Sequence, residues 1–235
     1  MSRERTLANY FGLPGTGKSA VLHGQVASQS KAVRFLTLDH EEGWGKDGYH
    51  WQGQVPRIVN VPSGQRAHPA FFEPPGVYRF PSNLWSAHQV GEIALALPFD
   101  VCMVDDEADK GGRRESFDVS SLRTILNEGR HIIGDDGSLH IVHGMFACRR
   151  PQKLHRDFDL AEETYLFRLK GGATKKRLLD DSLIDDLEEW EVLRRLPDFY
   201  FLHLPSGTWH APKNGKDAAQ GWVPVSREKI PLLGD

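Results

Sequence analysis

Short apolar runs alternate with amphipathic segments along most of this chain. Apolar runs predict strands over residues 6–11, 32–38, 99–104, 139–147, 164–169 and 199–204, with shorter ones at 57–61 and 77–80. Apolar positions at helical spacing predict helices over 17–28, 84–97, 116–129 and 182–196. Strands that alternate with helices indicate an α/β layer fold with a mostly parallel central sheet.

Two segments lack this periodicity. Residues 44–76 contain many Gly and Pro and few periodic apolar positions, and irregular stretches of this length are often functional. Residues 205–235 are rich in Gly, Pro, Lys and Trp and contain no readable element. We therefore expect a single domain over residues 1–235, with an irregular insertion at about 44–76 and a C-terminal tail at about 205–235.

Composition excludes several classes of protein. The chain has 235 residues, of which 39% are hydrophobic and 26% charged, so it is neither disordered nor collagen-like. A net charge of −3 excludes a generally basic nucleic-acid coat, and Cys102 and Cys148 are too few for a disulfide framework. No apolar run approaches the roughly 20 residues that span a bilayer, and the N-terminus has no signal-peptide core. We expect a soluble protein that is not secreted.

The segment GLPGTGKS matches the phosphate-loop pattern G-x-x-x-x-G-K-[ST] completely, and it lies between a predicted strand and a predicted helix. The glycines allow backbone N–H groups to surround phosphates at the positive end of the helix. Lys18 would contact the β- and γ-phosphates, and the Ser19 hydroxyl would bind Mg²⁺. The motif predicts ATP and Mg²⁺ as cofactors. Its residues are Gly12, Leu13, Pro14, Gly15, Thr16, Gly17, Lys18 and Ser19.

An apolar strand runs into three consecutive carboxylates, Asp105, Asp106 and Glu107. Adjacent carboxylates repel one another unless a cation neutralises them, and a phosphate-loop site needs an Asp at a strand end to hold Mg²⁺. One carboxylate would hold the metal and the next would act as general base for the attacking water. The working pair is either Asp105 with Asp106 or Asp106 with Glu107. We favour Asp106 as the metal ligand and Glu107 as the base.

The stretch 122–169 resembles the FtsK–HerA family of P-loop ATPases. The matches are Gly129-Arg130 at a helix end, Arg150-Pro151 in the turn after a strand, and an apolar strand that ends near Arg168. A looser match lies at residues 39–43, after the second strand. Within the family, the chain looks most like the genome-packaging ATPases of icosahedral viruses with an internal membrane.

The resemblance implies a three-layer P-loop sandwich with strand order 5-1-4-3-2. The strand that ends at Cys148 would then lie between the phosphate-loop strand and the acidic strand, so that Cys148 and Cys102 lie on neighbouring strands. Arg149 occupies the position of the family's polar sensor, which is usually Gln or Asn. A guanidinium can also stabilise the charge of the transferred phosphate.

The same resemblance implies an ATP-hydrolysing motor that translocates double-stranded DNA into a preformed viral capsid. Its expected partners are DNA, further copies of the chain in a pentameric or hexameric ring, and a capsid vertex or membrane-associated portal component. The expected location is the host cytoplasm or the virion vertex. The open alternatives are a P-loop kinase of a small molecule, a non-motor nucleotide switch, and an assembly ATPase similar to the Zot-like proteins of filamentous phages.

Ring ATPases use an arginine from the neighbouring subunit to stabilise the transferred phosphate. Arg130 and Arg150 occupy matched family positions, and Arg149 is the sensor candidate; Arg113, Arg114 and Arg156 are also candidates.

Charge is segregated in the second half of the chain. Residues 149–177 contain nine Lys and Arg against four acids, a net charge of +5, and 180–191 contain seven acids and no base. The basic segment centres on 170–177, which we expect to be a flexible loop that contacts DNA phosphates. The alternative is a solvated turn that balances the acidic helix. The candidate DNA contacts are Lys170, Lys175, Lys176 and Arg177.

The histidines show no zinc-binding spacing. His140 and His143 are three residues apart on one predicted strand and are interpreted as structural.

Overall fold

A mixed sheet runs through the computed structural model, which describes residues 5–40, 57–62, 68–111, 121–134, 136–214 and 217–234. The strands are β1 (Leu7–Phe11), β2 (Arg34–Asp39), β3 (Ile58–Asn60), β4 (Gly76–Pro81), β5 (Val101–Asp105), β6 (Ile132–Ile133), β7 (Leu139–His140), β8 (Val142–Cys148), β9 (Glu163–Leu166), β10 (Phe201–Leu204), β11 (Thr208–Asn214) and β12 (Asp217–Val225). The helices are α1 (Lys18–Gln29), α2 (Ala87–Ala96), α3 (Ala108–Gly111), α4 (Ser121–Glu128), α5 (Gly172–Asp180) and α6 (Leu187–Leu193).

Five parallel strands form the centre of the sheet, in the order β9-β1-β8-β5-β2. With β1, β2, β5, β8 and β9 counted as strands 1 to 5 along the chain, the centre of the sheet has the expected order 5-1-4-3-2, although the sheet as a whole contains more strands. The strand β8 lies between the phosphate-loop strand β1 and the acidic strand β5, as expected. Cys102 and Cys148 lie on neighbouring strands, and they belong to cores on opposite faces of the sheet.

The sheet extends beyond this centre on both sides to ten strands among the described residues. β4 and β3 continue it in parallel beside β2, whereas β10, β11 and β12 continue it antiparallel beside β9. The C-terminal tail is therefore largely a part of the sheet. Its strands were missed because Pro212 and Pro224 interrupt the apolar alternation; Pro224 is tolerated in the edge strand β12, which pairs on one side only.

A hydrophobic core covers each face of the central sheet. In β1, Leu7 and Phe11 point into a core shared with α2 and α4, whereas Ala8 and Tyr10 point into a core shared with α1. This alternation follows from the two-residue period of a strand. Helices on both faces make the three layers that were expected.

Element boundaries differ from the predictions in several places. The helix predicted at 84–97 is shorter because a capping box of Ser86 and Gln89 begins it at Ala87. The helix predicted at 182–196 begins only after Asp186, whose side chain accepts hydrogen bonds from the N–H groups of Glu188 and Glu189. The run 139–147 divides into β7 and β8, so His140 and His143 lie on different strands rather than on one.

The segment predicted as a flexible loop at 170–177 is instead helical from Gly172 onward, in α5. The paired glycines at 171 and 172 obscured this in the sequence, and buried Thr174 and Leu178 define the packed face of the helix.

The insertion predicted at 44–76 falls mostly outside the described residues. Its described parts contain β3, in agreement with the strand predicted at 57–61, and a 3₁₀ turn at Pro69–Phe71 followed by the fully buried Phe72. None of the helices in the described part of the chain is long and apolar enough to cross a membrane.

Candidate nucleotide-binding site

The phosphate-loop segment has the predicted context, since β1 ends at Phe11 and α1 begins at Lys18. Gly15 and Gly17 adopt φ angles of 75° and 105°, which favour glycine. The N–H of Gly12 donates to the carbonyl of Cys148 at 3.1 Å, which ties the loop to the end of β8. The loop is thus held by β8 at one end and continues directly into the N-terminus of α1.

Lys18 is buried beneath the loop, where its Nζ donates to the carbonyl of Leu13 at 2.9 Å. Burial lowers the pKa of Lys18 to about 8, and the nearby Asp106 and Asp109 carboxylates oppose this shift. A buried cation at a helix N-terminus is well placed to bind an anionic phosphate. Ser19 lies beside it and is exposed.

A contact that the sequence did not reveal joins the phosphate loop to the segment before β10. The N–H of Phe199 donates to the carbonyl of Thr16 at 2.8 Å, and the Phe199 ring packs so closely that a Cβ at Gly17 would lie 2.8 Å from it. The carbonyl of Phe199 accepts a hydrogen bond from Trp222 Nε1 at 3.0 Å. The C-terminal strands are thereby coupled to the loop.

The acidic segment lies at the end of β5, beside β8. Asp105 is fully buried, and its Oδ1 accepts a hydrogen bond from the N–H of Glu107 at 3.0 Å. The same oxygen lies 3.0 Å from Nε2 of His40, which follows the neighbouring strand β2. The Oδ2 atom of Asp105 is buried and makes no hydrogen bond with any described residue.

The predicted base and the predicted sensor contact each other. Glu107 is buried, and its carboxylate forms an ion pair with the guanidinium of Arg149. Arg149 also contributes to lowering the pKa of Lys18. The structure therefore gathers Lys18, Glu107 and Arg149 at one edge of the sheet.

A group suited to a divalent cation lies at the same edge. Atoms of His40, Asp105 and Asp106 that could bind a metal lie within 4.8 Å of one another. Two carboxylates fit Mg²⁺, which prefers oxygen ligands, and the buried, unpartnered Oδ2 of Asp105 also fits a cation. His40 was missed as a site residue. Its signal in the sequence was its position directly after an apolar strand, because parallel strands end at the same edge of a sheet.

The two arginines from the matched family positions lie apart from each other. Arg130 forms an ion pair with Glu162 at 2.9 Å, and the other oxygen of Glu162 accepts from the N–H of Leu7 at 2.7 Å, so this pair lies at the opposite end of β1 from the phosphate loop. Arg150 is exposed just after β8, near the loop. Arg156 begins a 3₁₀ turn. Arg113 and Arg114, and residues 42 and 43 of the loose family match, lie outside the described residues.

The candidate DNA contacts divide into two sets. Lys170 and Lys176 are exposed and Lys175 is half-buried, on or beside α5. Arg177 instead points inward, where it donates to both oxygens of Asp159 at 2.8 Å and to the carbonyl of Leu154 at 2.7 Å. Arg177 therefore acts within the subunit, contrary to the expectation from its charge.

The fold is similar to that of solved viral genome-packaging enzymes. The NTPase B204 of Sulfolobus turreted icosahedral virus 2, solved with ATP-gammaS, superposes with a TM-score of 0.61 at 13% identity, over 89% of this chain and 96% of that one. Its complex with AMPPCP gives 0.61 at 15% identity over 89% and 97%. The DNA-packaging ATPase B204 of Sulfolobus turreted icosahedral virus gives 0.57 at 15% identity over 87% and 95%. No family model and no curated protein matches the chain.

Proposed function

We propose that this chain is an ATP-hydrolysing motor that translocates double-stranded DNA, as part of packaging a viral genome. The observation that carries the proposal is the meeting of the phosphate loop, the acidic strand end and Arg149 at one edge of a sheet. The likeness to packaging enzymes over nearly the whole length of both chains supports the biological role.

Each part of the site has a distinct role in this proposal. The loop N–H groups and Lys18 bind the β- and γ-phosphates. Ser19 and Asp106 would hold Mg²⁺, which neutralises the negative charge of the phosphates. Glu107 accepts a proton from the attacking water, and Arg149 stabilises the charge of the transferred phosphate.

Asp105 orients the base, because its Oδ1 accepts a hydrogen bond from the N–H of Glu107. This arrangement favours Asp106 with Glu107 as the working pair over Asp105 with Asp106.

The chain is proposed to act as a ring of copies, a pentamer or a hexamer, on double-stranded DNA. An arginine from the neighbouring subunit completes each site, and exposed Arg150, near the loop, is better placed for this than Arg130. The DNA surface comprises Lys170, Lys175 and Lys176. A capsid vertex or a portal component is the proposed docking partner of the ring, at the virion vertex or in the host cytoplasm.

The deciding experiment measures ATP turnover with and without long duplex DNA, together with the mass of the assembly. We expect turnover that DNA stimulates, in a multimer, and that Lys18→Ala abolishes. Lys31→Ala, which changes an exposed lysine just after α1, is the matched control and should behave as the wild type. A monomer with full turnover and no DNA response would contradict the motor. Phosphate transferred to a small acceptor would instead identify a kinase, and tight nucleotide binding without turnover a switch.

A further inference from the structure

We propose that His40 is a direct ligand of the divalent cation at this site, together with Asp105 and Asp106. The site would then accept first-row transition metals such as Mn²⁺ more readily than a site made of oxygen atoms alone. The inference deepens the proposed nucleotide site, but it concerns metal binding by the protein itself and requires neither ATP nor DNA.

The spacing of the three groups matches a shared ion. His40 Nε2 and Asp105 Oδ1 are 3.0 Å apart. Two ligand atoms that each lie about 2.1 Å from an ion, at right angles to one another, are separated by about 3 Å. The third ligand, from Asp106, lies within 4.8 Å of the other two, and opposite ligands on one ion are about 4.2 Å apart. A small side-chain movement would bring all three into coordination.

The burial of the group also indicates a cation. The side chain of Asp105 is 0% exposed and that of His40 is 8% exposed. A buried carboxylate is costly unless it is paired or bound to a metal, and Asp105 Oδ2 makes no hydrogen bond with a described residue. An ion between Nε2 of His40 and Oδ1 of Asp105 would take the place of the contact that joins these two atoms, and the buried Oδ2 would remain available to the same ion.

The strand ends explain why His40, and not its neighbour, faces the site. In the register of β2 and β5, Leu38 pairs with Asp105, so the residues that follow β2 lie beside the acidic segment. Successive side chains of an extended chain point to opposite sides. Asp39 Oδ2 accepts a hydrogen bond from Nε of Arg79, on β4, at 2.5 Å. His40 points to the other side and contacts Asp105.

An imidazole ligand changes the metal preference of a site. Carboxylate, carbonyl and water ligands suit Mg²⁺ and Mn²⁺, whereas imidazole suits Fe, Ni, Cu and Zn. Mn²⁺ stands at the weak end of the Irving–Williams series, but as a transition metal it gains more from an imidazole nitrogen than Mg²⁺, which prefers oxygen ligands. His40 should therefore raise the affinity for Mn²⁺ more than the affinity for Mg²⁺.

The test uses Mn²⁺ alone as the probe, with the full-length protein and no nucleotide. Electron spin echo envelope modulation of bound Mn²⁺ should show coupling to a directly coordinated ¹⁴N nucleus, and His40→Gln should abolish it. Titration followed by electron paramagnetic resonance should show Mn²⁺ affinity falling about 10-fold or more in His40→Gln, since even outer-shell partners change metal affinity by 10–100-fold. Mg²⁺ affinity, measured by competition, should change less. His88→Gln, which alters an exposed histidine on α2, is the control.

A second measurement needs no variant. In wild-type protein labelled with ¹⁵N-histidine, the ¹⁴N modulation of bound Mn²⁺ should disappear and ¹⁵N modulation should appear in its place. Absence of nitrogen coupling in the wild type, or coupling that persists in His40→Gln, would overturn the proposal and leave His40 as a hydrogen-bond partner of Asp105. Because ATP turnover is not measured, failure of this test would leave the motor proposal standing, and failure of the motor would leave this one standing.

Discussion

At the scale of single residues, the ion pair between Glu107 and Arg149 brings the proposed base and the proposed sensor together. Glu107→Gln should still bind Mg-ATP but hydrolyse it about 10²–10⁴-fold more slowly, because an amide cannot accept the proton of the attacking water. Binding of a fluorescent ATP analogue and steady-state turnover measure the two effects separately.

Asp106→Asn is the companion variant and should weaken metal-dependent nucleotide binding instead. If Glu107→Gln turned over normally while Asp106→Asn bound ATP without hydrolysing it, the working pair would be Asp105 and Asp106.

A second residue-scale prediction concerns His23, which is buried in α1. Burial lowers its pKa from 6.5 to about 3. The unfolded chain therefore binds a proton at His23 between pH 6.5 and about 3 that the folded protein does not bind, and the free energy of unfolding decreases as the pH is lowered through this window. His23→Gln should flatten this part of the stability profile, measured by urea unfolding from pH 7 to pH 4. An unchanged slope would contradict the assignment.

At the scale of elements, Phe199 and Trp222 couple the C-terminal strands to the phosphate loop. Phe199 has a φ of 68°, a conformation that costs a non-glycine residue roughly 1–2 kcal/mol, and its contacts with Thr16 and Gly17 compensate for that cost. The strand β12 is thus linked to the phosphate loop by Trp222, whose indole N–H donates a hydrogen bond to the Phe199 carbonyl. β11 pairs with β12 and is linked to the loop through it.

Trp222→Phe keeps a ring but removes the N–H that the Phe199 carbonyl accepts. We expect faster amide hydrogen exchange in the phosphate loop and weaker ATP binding, both by several-fold, because removing a hydrogen bond costs about 1 kcal/mol. The control is Trp85→Phe, since Trp85 Nε1 makes no hydrogen bond with a described residue. Equal effects from the two variants would show that the Trp222 hydrogen bond has no specific role, and that any tryptophan substitution disturbs the loop to the same degree.

Elements differed in how well they could be predicted. The phosphate-loop strand and helix were predicted to within one residue, because eight contiguous residues define their junction. The helix α5 was predicted as a loop because two glycines stand at its start, one at the N-cap and one at its first position, and because its anchoring contacts, such as Arg177 with Asp159, lie outside the helix.

At the scale of the whole molecule, the proposed DNA surface and the proposed ring are the features to test. The triple change Lys170→Gln, Lys175→Gln and Lys176→Gln should weaken duplex binding and reduce the salt slope by about 0.9 for each DNA phosphate that the protein no longer neutralises. Basal hydrolysis should persist. A charge-matched triple change at Lys31, Lys213 and Lys229 should leave the slope unaltered.

Arg177→Gln should act differently from the three lysines. Its guanidinium is largely buried against Asp159 and Asp181, so its removal leaves two partly buried carboxylates without this partner and should lower the thermal midpoint. A normal midpoint together with a loss of DNA binding would place Arg177 on the DNA surface after all.

The proposed ring predicts complementation between inactive subunits. Arg150→Ala should bind ATP but lose most turnover, by roughly 10³-fold or more for an arginine that acts in trans. Mixing it with Glu107→Gln should restore some activity, because each subunit supplies at a mixed interface what the other lacks. The same mixture made with Arg130→Ala distinguishes the two candidates, and no recovery in either mixture would exclude both.

The sequence alone determined the parts of this protein whose geometry is local. A contiguous loop flanked by a strand and a helix constrains its own backbone, and three carboxylates at the end of an apolar strand must lie at a sheet edge. The strand order came from the resemblance of residues 122–169 to a family of P-loop ATPases. Only the tertiary structure decided which groups from separate segments meet: the side chains of His40 and Asp105, the backbones of Phe199 and Thr16, and the side chains of Arg177 and Asp159. These contacts depend on strand register and on the packing of segments up to 183 residues apart, and no local pattern of polar and apolar residues encodes them.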